Sequence, residues 1–216
     1  MNKVPPPPVA KALRAARLDE DALLLRPGQT VYHVYPQRYQ ADSFNPGLGL
    51  ARFHPFLDAS GQAVAVYYCA STEEGSLCET LFRATAIGSS CRMVPGQRLA
   101  GYALAEIRLR QPLQLAHLAG NCLNRLGLTR ARLLEPGPPH YPQTTAWAGA
   151  IHAAYPGLHG LAWVSRQHDS STCMVLFGDR VTATWLEPVS TLDLASPAGR
   201  LRMDALGQRL GVVITR

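Results

Sequence analysis

The sequence predicts an α+β fold: a mixed or antiparallel central sheet with flanking helices. Three observations carry this expectation. Apolar, β-branched and aromatic runs that read as strands outnumber the helical stretches. The helices fall between them irregularly, without the regular alternation of a doubly wound parallel sheet. The chain has 216 residues, 47% of them hydrophobic, enough for one sizeable core or one core with a small appendage.

The elements follow in order. Residues 5–8 are consecutive prolines, a polyproline II segment expected to act as a tether outside the core. Residues 9–25 scatter Leu13, Leu18, Leu23, Leu24 and Leu25 among alanines, arginines and acids, and read as a helix or helix pair stopped by Arg26-Pro27-Gly28. The expected division is therefore 1–27 as tether and helix and 28–216 as the principal domain. Thr30-Val31-Tyr32-His33-Val34-Tyr35 alternates like a strand and Pro36 ends it. Residues 41–50 hold Phe44-Asn45-Pro46-Gly47, a loop by its turn residues. That loop leads to Arg52, placed where the backbone can approach a ligand closely.

Residues 63–70 are a Val- and Tyr-rich run read as a buried strand. Ser71 and Thr72 supply N-cap oxygens, acids fill the first turn, and a helix follows with Leu77, Leu81 and Phe82 on one face. Glu79 lies near the edge of that face. Taken alone, such a carboxylate is more often a solvated helix residue. Just after a strand carrying tyrosines, it also has the position to point into a cleft.

Residues 98–110 and 113–118 read as strands, and 120–134 as a helix broken at Gly127. Residues 135–142 form a proline-rich loop. Thr144 and Thr145 are expected to cap a helix that Pro156-Gly157 stops. Residues 160–165 form a strand ending in Ser165-Arg166, residues 173–177 a very apolar and central one, and residues 180–185 another after a Gly178-Asp179 turn. Residues 201–206 and 210–214 read as short strands or extended ends, and no internal repeat is visible.

The net charge is +6, and arginine supplies nearly all of it, since Lys3 and Lys11 are the only lysines. A basic balance suits nucleic acid, an anionic small molecule or an acidic protein partner. The arginines form no runs, which weakens direct nucleic-acid binding, and arginine suits bidentate phosphate recognition. No run is long and apolar enough to cross a bilayer, so no membrane partner is expected. Residues 1–18 lack the apolar core of a secretory signal. The five cysteines show no CxxC pair, which argues against a disulfide framework and a zinc site and for free thiols in a reducing cytoplasm. The histidines are dispersed, so no metal is expected. Phosphate-loop, dinucleotide-fingerprint and nucleophile-elbow motifs are missing.

What remains is a set of polar residues at the ends of apolar strands: Arg52, Tyr68, Glu79 and Ser165. The blocks Ala51-Arg52-Phe53, Tyr67-Tyr68-Cys69-Ala70-Ser71-Thr72, Leu77-Cys78-Glu79-Thr80, Trp147-Ala148 and Gly160-Leu161-Ala162-Trp163-Val164-Ser165-Arg166 stand in sequence over about residues 30–185. They resemble the successive blocks of the RES domain, a family named for its Arg, Glu and Ser. Each block is weak alone; in order and at these separations they are specific. The resemblance implies a fold similar to ADP-ribosyltransferases and a toxin of a bacterial toxin–antitoxin pair that consumes NAD. It implies cleavage of the nicotinamide–ribose bond by hydrolysis or phosphorolysis, or transfer of ADP-ribose to a protein, and an Xre-like antitoxin partner. A homo-oligomer is left open.

Under that resemblance Glu79 stabilises the oxocarbenium-like ribose, Arg52 meets the pyrophosphate, Tyr68 stacks the nicotinamide and Ser165 bonds its ribose or amide. Tyr67 and Tyr68 point to opposite faces of a strand, and the choice of Tyr68 rests on the resemblance. One departure stands out. Many family members carry an Arg in the first strand, where this chain has His33. Either His33 still contacts the dinucleotide, or Arg38 or Arg166 substitutes, or activity is reduced. A catalytically impaired antitoxin-binding module is the remaining alternative.

Overall fold

The computed structural model describes residues 4–85, 88 and 92–215. A short helix, α1 (Ala10–Ala15), and a three-residue strand, β1 (Leu23–Leu25), precede β2 (Thr30–Pro36). A long loop separates β2 from β3 (Val66–Ala70), and α2 (Glu73–Glu79) follows at once. Next come β4 (Arg92–Pro95), β5 (Tyr102–Leu109), β6 (Leu113–His117), α3 (Gly120–Arg125), α4 (Arg130–Leu133) and α5 (Tyr141–Ala154). The chain ends with β7 (Gly160–Val164), β8 (Thr172–Phe177), β9 (Leu186–Asp193), α6 (Pro197–Leu210) and β10 (Val212–Thr215).

Eight strands form one sheet in the order β1-β6-β7-β8-β3-β2-β5-β9. Neighbours are antiparallel except β6 and β7, and β10 pairs in parallel with β4 as a separate ribbon. The fold is thus α+β with a mixed, mostly antiparallel sheet, as expected. β8 is central, and its run Cys173–Phe177 is almost wholly buried. The sheet has a weak seam. β2 pairs with β5 along seven residues and β3 with β8 along five, but β2 meets β3 only at Tyr32 and Ala70. Past that pair the two strands part.

Three apolar clusters fill the layers. One gathers Trp147, Trp163, Phe53 and Phe177; a second gathers Tyr67, Ile107, Met174 and Leu176; the third lies among Leu77, Phe82, Met203 and Leu206. Strand alternation puts the first and third clusters, which hold the helix residues, on one face of the sheet; the second, on the other face, is built from strand and loop residues alone.

Several elements differ from the sequence reading. The N-terminal segment is not a free tether. Val4 and Leu13 belong to the first cluster, and the Pro5 carbonyl accepts a hydrogen bond from Trp147 Nε1 at 2.7 Å. Leu23–Leu25 pairs with β6 and does not extend a helix. Residues 180–185 are a turn and one 3₁₀ turn, and the strand is Leu186–Asp193. That strand lies at the sheet edge, mostly exposed, with Pro188 beside a register shift, so it lacks the apolar alternation of a buried strand. Residues 201–206 lie in α6, where Met203, Leu206 and Leu210 recur at helical spacing and Ser196 Oγ caps Gly199 N–H. Thr144 and Thr145 lie inside α5, which begins at Tyr141.

Candidate active site

Where β2 and β3 part, a cavity of about 510 Å³ opens. His33, Arg38, Arg52, Tyr68, Glu79 and Arg83 are among its lining residues. Each arrives by a local rule. Alternation along β3 sends Tyr67 into the second apolar cluster and Tyr68 to the opposite side, where its ring lies edge-on to Trp163. Thr72 caps α2 by accepting from Gly75 N–H, as its position at the strand end predicts. Seven residues later Glu79 ends the helix, where the carbonyl end of the dipole does not favour a carboxylate.

A cation answers that charge. Arg52 Nη1 lies 3.5 Å from Glu79 Oε2, with the side chains only 6% and 13% exposed. The Arg52 backbone is pinned from two directions. Its carbonyl accepts from the Thr144 and Thr145 hydroxyls of α5, and the next amide, Phe53 N–H, donates to the Tyr68 hydroxyl at 3.1 Å. The α5 threonines therefore hold the arginine loop and do not cap their own helix. Arg52 Nε is buried with no hydrogen-bond partner among the described residues.

Ser165 follows β7 directly. Its N–H donates to the Ser171 carbonyl at 2.8 Å and its carbonyl accepts from Arg130 at 2.7 Å. So fixed, Ser165 Oγ donates to Glu79 Oε1 at 3.3 Å and accepts from Gln167 N–H at 3.3 Å. The Arg, Glu and Ser singled out from the sequence thus meet at one carboxylate. Ser165 is fully buried behind Glu79 and outside the cavity lining. The structure therefore places it against the carboxylate.

Tyr68 is held neutral: burial raises its phenol well above the ordinary range, and its hydroxyl is occupied by Phe53 N–H. His33 Nδ1 lies 2.6 Å from the Tyr68 carbonyl, across the gap between β2 and β3. Burial pushes the imidazole down to about 4. Of the two arginines that could replace the family arginine, Arg38 lines the cavity and Arg166 does not; Arg166 donates instead to the Glu135 carbonyl.

Sequence reasoning gives no role to Arg83, Arg98 or Tyr141, all on the cavity wall. Arg83 lies in the turn that follows α2, with its guanidinium 5.9 Å from the centre of the Tyr141 ring. α2 has ended before Arg83, so helical spacing from Glu79 does not announce it. Arg98 comes from the segment before β5 and carries no such signal either. Arg52 is committed to Glu79, so Arg38, Arg83 and Arg98 leave the cavity cationic. Among the described residues no group of three or more His, Cys, Asp or Glu is placed to hold a metal, and no helix is long and apolar enough to cross a membrane.

The arrangement is one carboxylate, oriented from both oxygens, beside an arginine-rich cavity with aromatic walls. It suits a substrate that is anionic along its length and becomes cationic at one reacting atom. A search of curated proteins gives no match. Among solved structures, the chain is similar to MbcT of the M. tuberculosis MbcT–MbcA toxin–antitoxin complex. The two are 16% identical with a TM-score of 0.64, over 91% of this chain and 96% of that one. The family model of the RES domain matches residues 30–204, from the start of β2 into α6, and takes in all three side chains that converge here; the chain belongs to the RES-domain family.

Proposed function

We propose that this chain is the toxin of a bacterial toxin–antitoxin pair and that it degrades NAD by breaking the nicotinamide–ribose bond. The observation that carries the reading is the Arg52–Glu79–Ser165 contact at the wall of an arginine-rich cavity. Heterolysis leaves the bonding pair on the ring nitrogen. A cationic pyridinium thereby becomes neutral nicotinamide, and positive charge appears at the ribose C1′. Glu79, held by Arg52 on one oxygen and Ser165 on the other, presents a preorganised negative charge to that centre. Water or phosphate then bonds to C1′ and loses a proton, giving ADP-ribose or its 1-phosphate. No strong acid is needed, because the leaving group departs uncharged.

Arg38, Arg83 and Arg98 are the groups available to the pyrophosphate, and Tyr68 offers a ring face to the nicotinamide. The resemblance to a toxin solved with its antitoxin supports a protein antitoxin as partner, and the family suggests the Xre-like kind. A cationic cavity mouth fits an acidic antitoxin segment.

The test is NAD consumption by the purified chain, with product analysis, with and without phosphate, beside Glu79→Ala. Release of nicotinamide that Glu79→Ala abolishes supports the reading, and phosphate dependence separates phosphorolysis from hydrolysis. An intact NAD pool under both conditions with the folded wild type rejects it and moves the search to protein ADP-ribosylation.

A further inference from the structure

We propose that His33 serves the cavity as a hydrogen-bond acceptor, presenting Nε2 to an amino N–H on a heterocycle of the substrate. The polarity follows from geometry. The Tyr68 carbonyl can only accept, so at 2.6 Å His33 Nδ1 carries the hydrogen. In a neutral imidazole the other nitrogen then holds a bare lone pair. Burial keeps the ring neutral at ordinary pH.

The ring is held in place. It stacks on Tyr35 at 5.3 Å and 8° and leans on Tyr67 at 4.2 Å. Nε2 has no hydrogen-bond partner among the described residues, and it is not one of the solvent-excluded unpaired atoms, which are Arg52 Nε, His54 Nδ1 and Trp163 Nε1. His33 lines the cavity, and Nε2 is the polar atom of its ring left without a protein partner for a ligand to meet. The neighbouring wall carries Tyr35 and Phe44, flat apolar surfaces that suit a heteroaromatic ring better than a ribose.

The family arginine at this position offers donors only. This chain reverses the polarity: it reads a donor and disfavours an anion. The identity of the donor rests on the NAD reading above. NAD carries two amino N–H groups on planar heterocycles, the nicotinamide carboxamide and the adenine 6-amine, and the same acceptor chemistry fits both.

Two measurements decide the matter. The first is independent of activity: nitrogen-15 spectra of the histidine rings in the full chain, assigned with His33→Gln. The expected result is a neutral His33 at pH 6 with hydrogen on Nδ1 and a bare Nε2. Hydrogen on Nε2, or a charged ring at pH 6, overturns the proposal. The second compares kcat/KM for NAD, nicotinic acid adenine dinucleotide and nicotinamide hypoxanthine dinucleotide. Wild type should lose at least about tenfold on one analogue, the factor a single hydrogen bond supplies, and which one it loses identifies the donor.

His33→Leu should treat all three dinucleotides within about threefold, while His33→Gln, which keeps an acceptor oxygen, should retain part of the discrimination. Equal rates in wild type, or a preference that survives in His33→Leu, overturns the proposal while leaving NAD cleavage standing. If wild type cleaves none of the three, the NAD reading fails and the donor assignment fails with it, whereas the spectra still decide the acceptor.

Discussion

Removing one partner of the Arg52–Glu79 pair is the most informative perturbation of this fold. Both side chains are nearly buried, 3.5 Å apart. At that separation Coulomb's law with an effective dielectric constant of about 20 gives an attraction of about 5 kcal/mol, before the cost of desolvating both charges. Arg52→Met strips Glu79 of its counter-charge at a helix end that does not favour a carboxylate. Glu79→Gln leaves a buried guanidinium whose Nε already lacks a partner. Each single variant should lose about 3–5 kcal/mol of stability. The double variant removes both charges, so its loss should fall short of the sum by about 2–3 kcal/mol.

The assay is urea unfolding of the four proteins at pH 7, followed by tryptophan fluorescence and far-ultraviolet circular dichroism. The backbone around Arg52 should survive substitution, because Thr144, Thr145 and Tyr68 hold it through main-chain atoms. Single losses below about 1 kcal/mol that add within about 0.5 kcal/mol would refute the reasoning. Arg52 would then be free to meet a pyrophosphate, as the sequence suggests, and Glu79 would be oriented by Ser165 alone.

Three further outcomes follow from described contacts. The native His33 binds its proton at about pH 4 and the unfolded chain near 6.5, so stability from this group is complete above pH 6.5 and declines as pH falls toward 4. The decline should reach about 2 kcal/mol by pH 4.5 and shrink in His33→Gln when both are unfolded in urea at pH 7, 5.5 and 4.5. In Gly75→Ala the new Cβ would stand 2.6 Å from Ser171 Cβ and 3.1 Å from Ala70 Cβ, so a loss of about 1–3 kcal/mol in the same assay is expected. Cys69, Cys78, Cys122 and Cys173 are buried, with thiols raised by desolvation to about 12 for the first two, about 11 for Cys122 and well above normal for Cys173. Their native reaction with a disulfide reagent at pH 8 should be slow and should accelerate when urea unfolds the chain.

Legibility in the sequence tracks locality. β2, β3 and α2 announce themselves by alternation, a capping threonine and a helical apolar face, so local pattern alone assigns His33, Tyr68 and Glu79 to their elements. The partners of those residues are not local. That Arg52 turns to Glu79 depends on a long loop folding back against α5, and no spacing in the sequence encodes that approach. Ser165 is legible as a residue type at a strand end, but its position behind the carboxylate depends on Gln167 and Ser171 closing a turn around it. Arg98 reaches the cavity because residues before β5 lie beside the end of β2, a consequence of pairing Pro36 with Tyr102. α6 and β9 escape the sequence reading for a shared reason: both lie at the periphery, where glycine, arginine and exposed polar residues dilute the periodicity that burial imposes on central elements.

The single pair joining β2 to β3 has a mechanical consequence. The sheet behaves as two rafts, one of five strands and one of three, moored at Tyr32 and Ala70 and bridged by the His33 side chain. A molecule lodged between them touches both rafts and acts as a cross-brace. Occupancy should therefore slow amide exchange in β2 and β3 together and raise the melting temperature by mass action, without any hinge closing over the ligand.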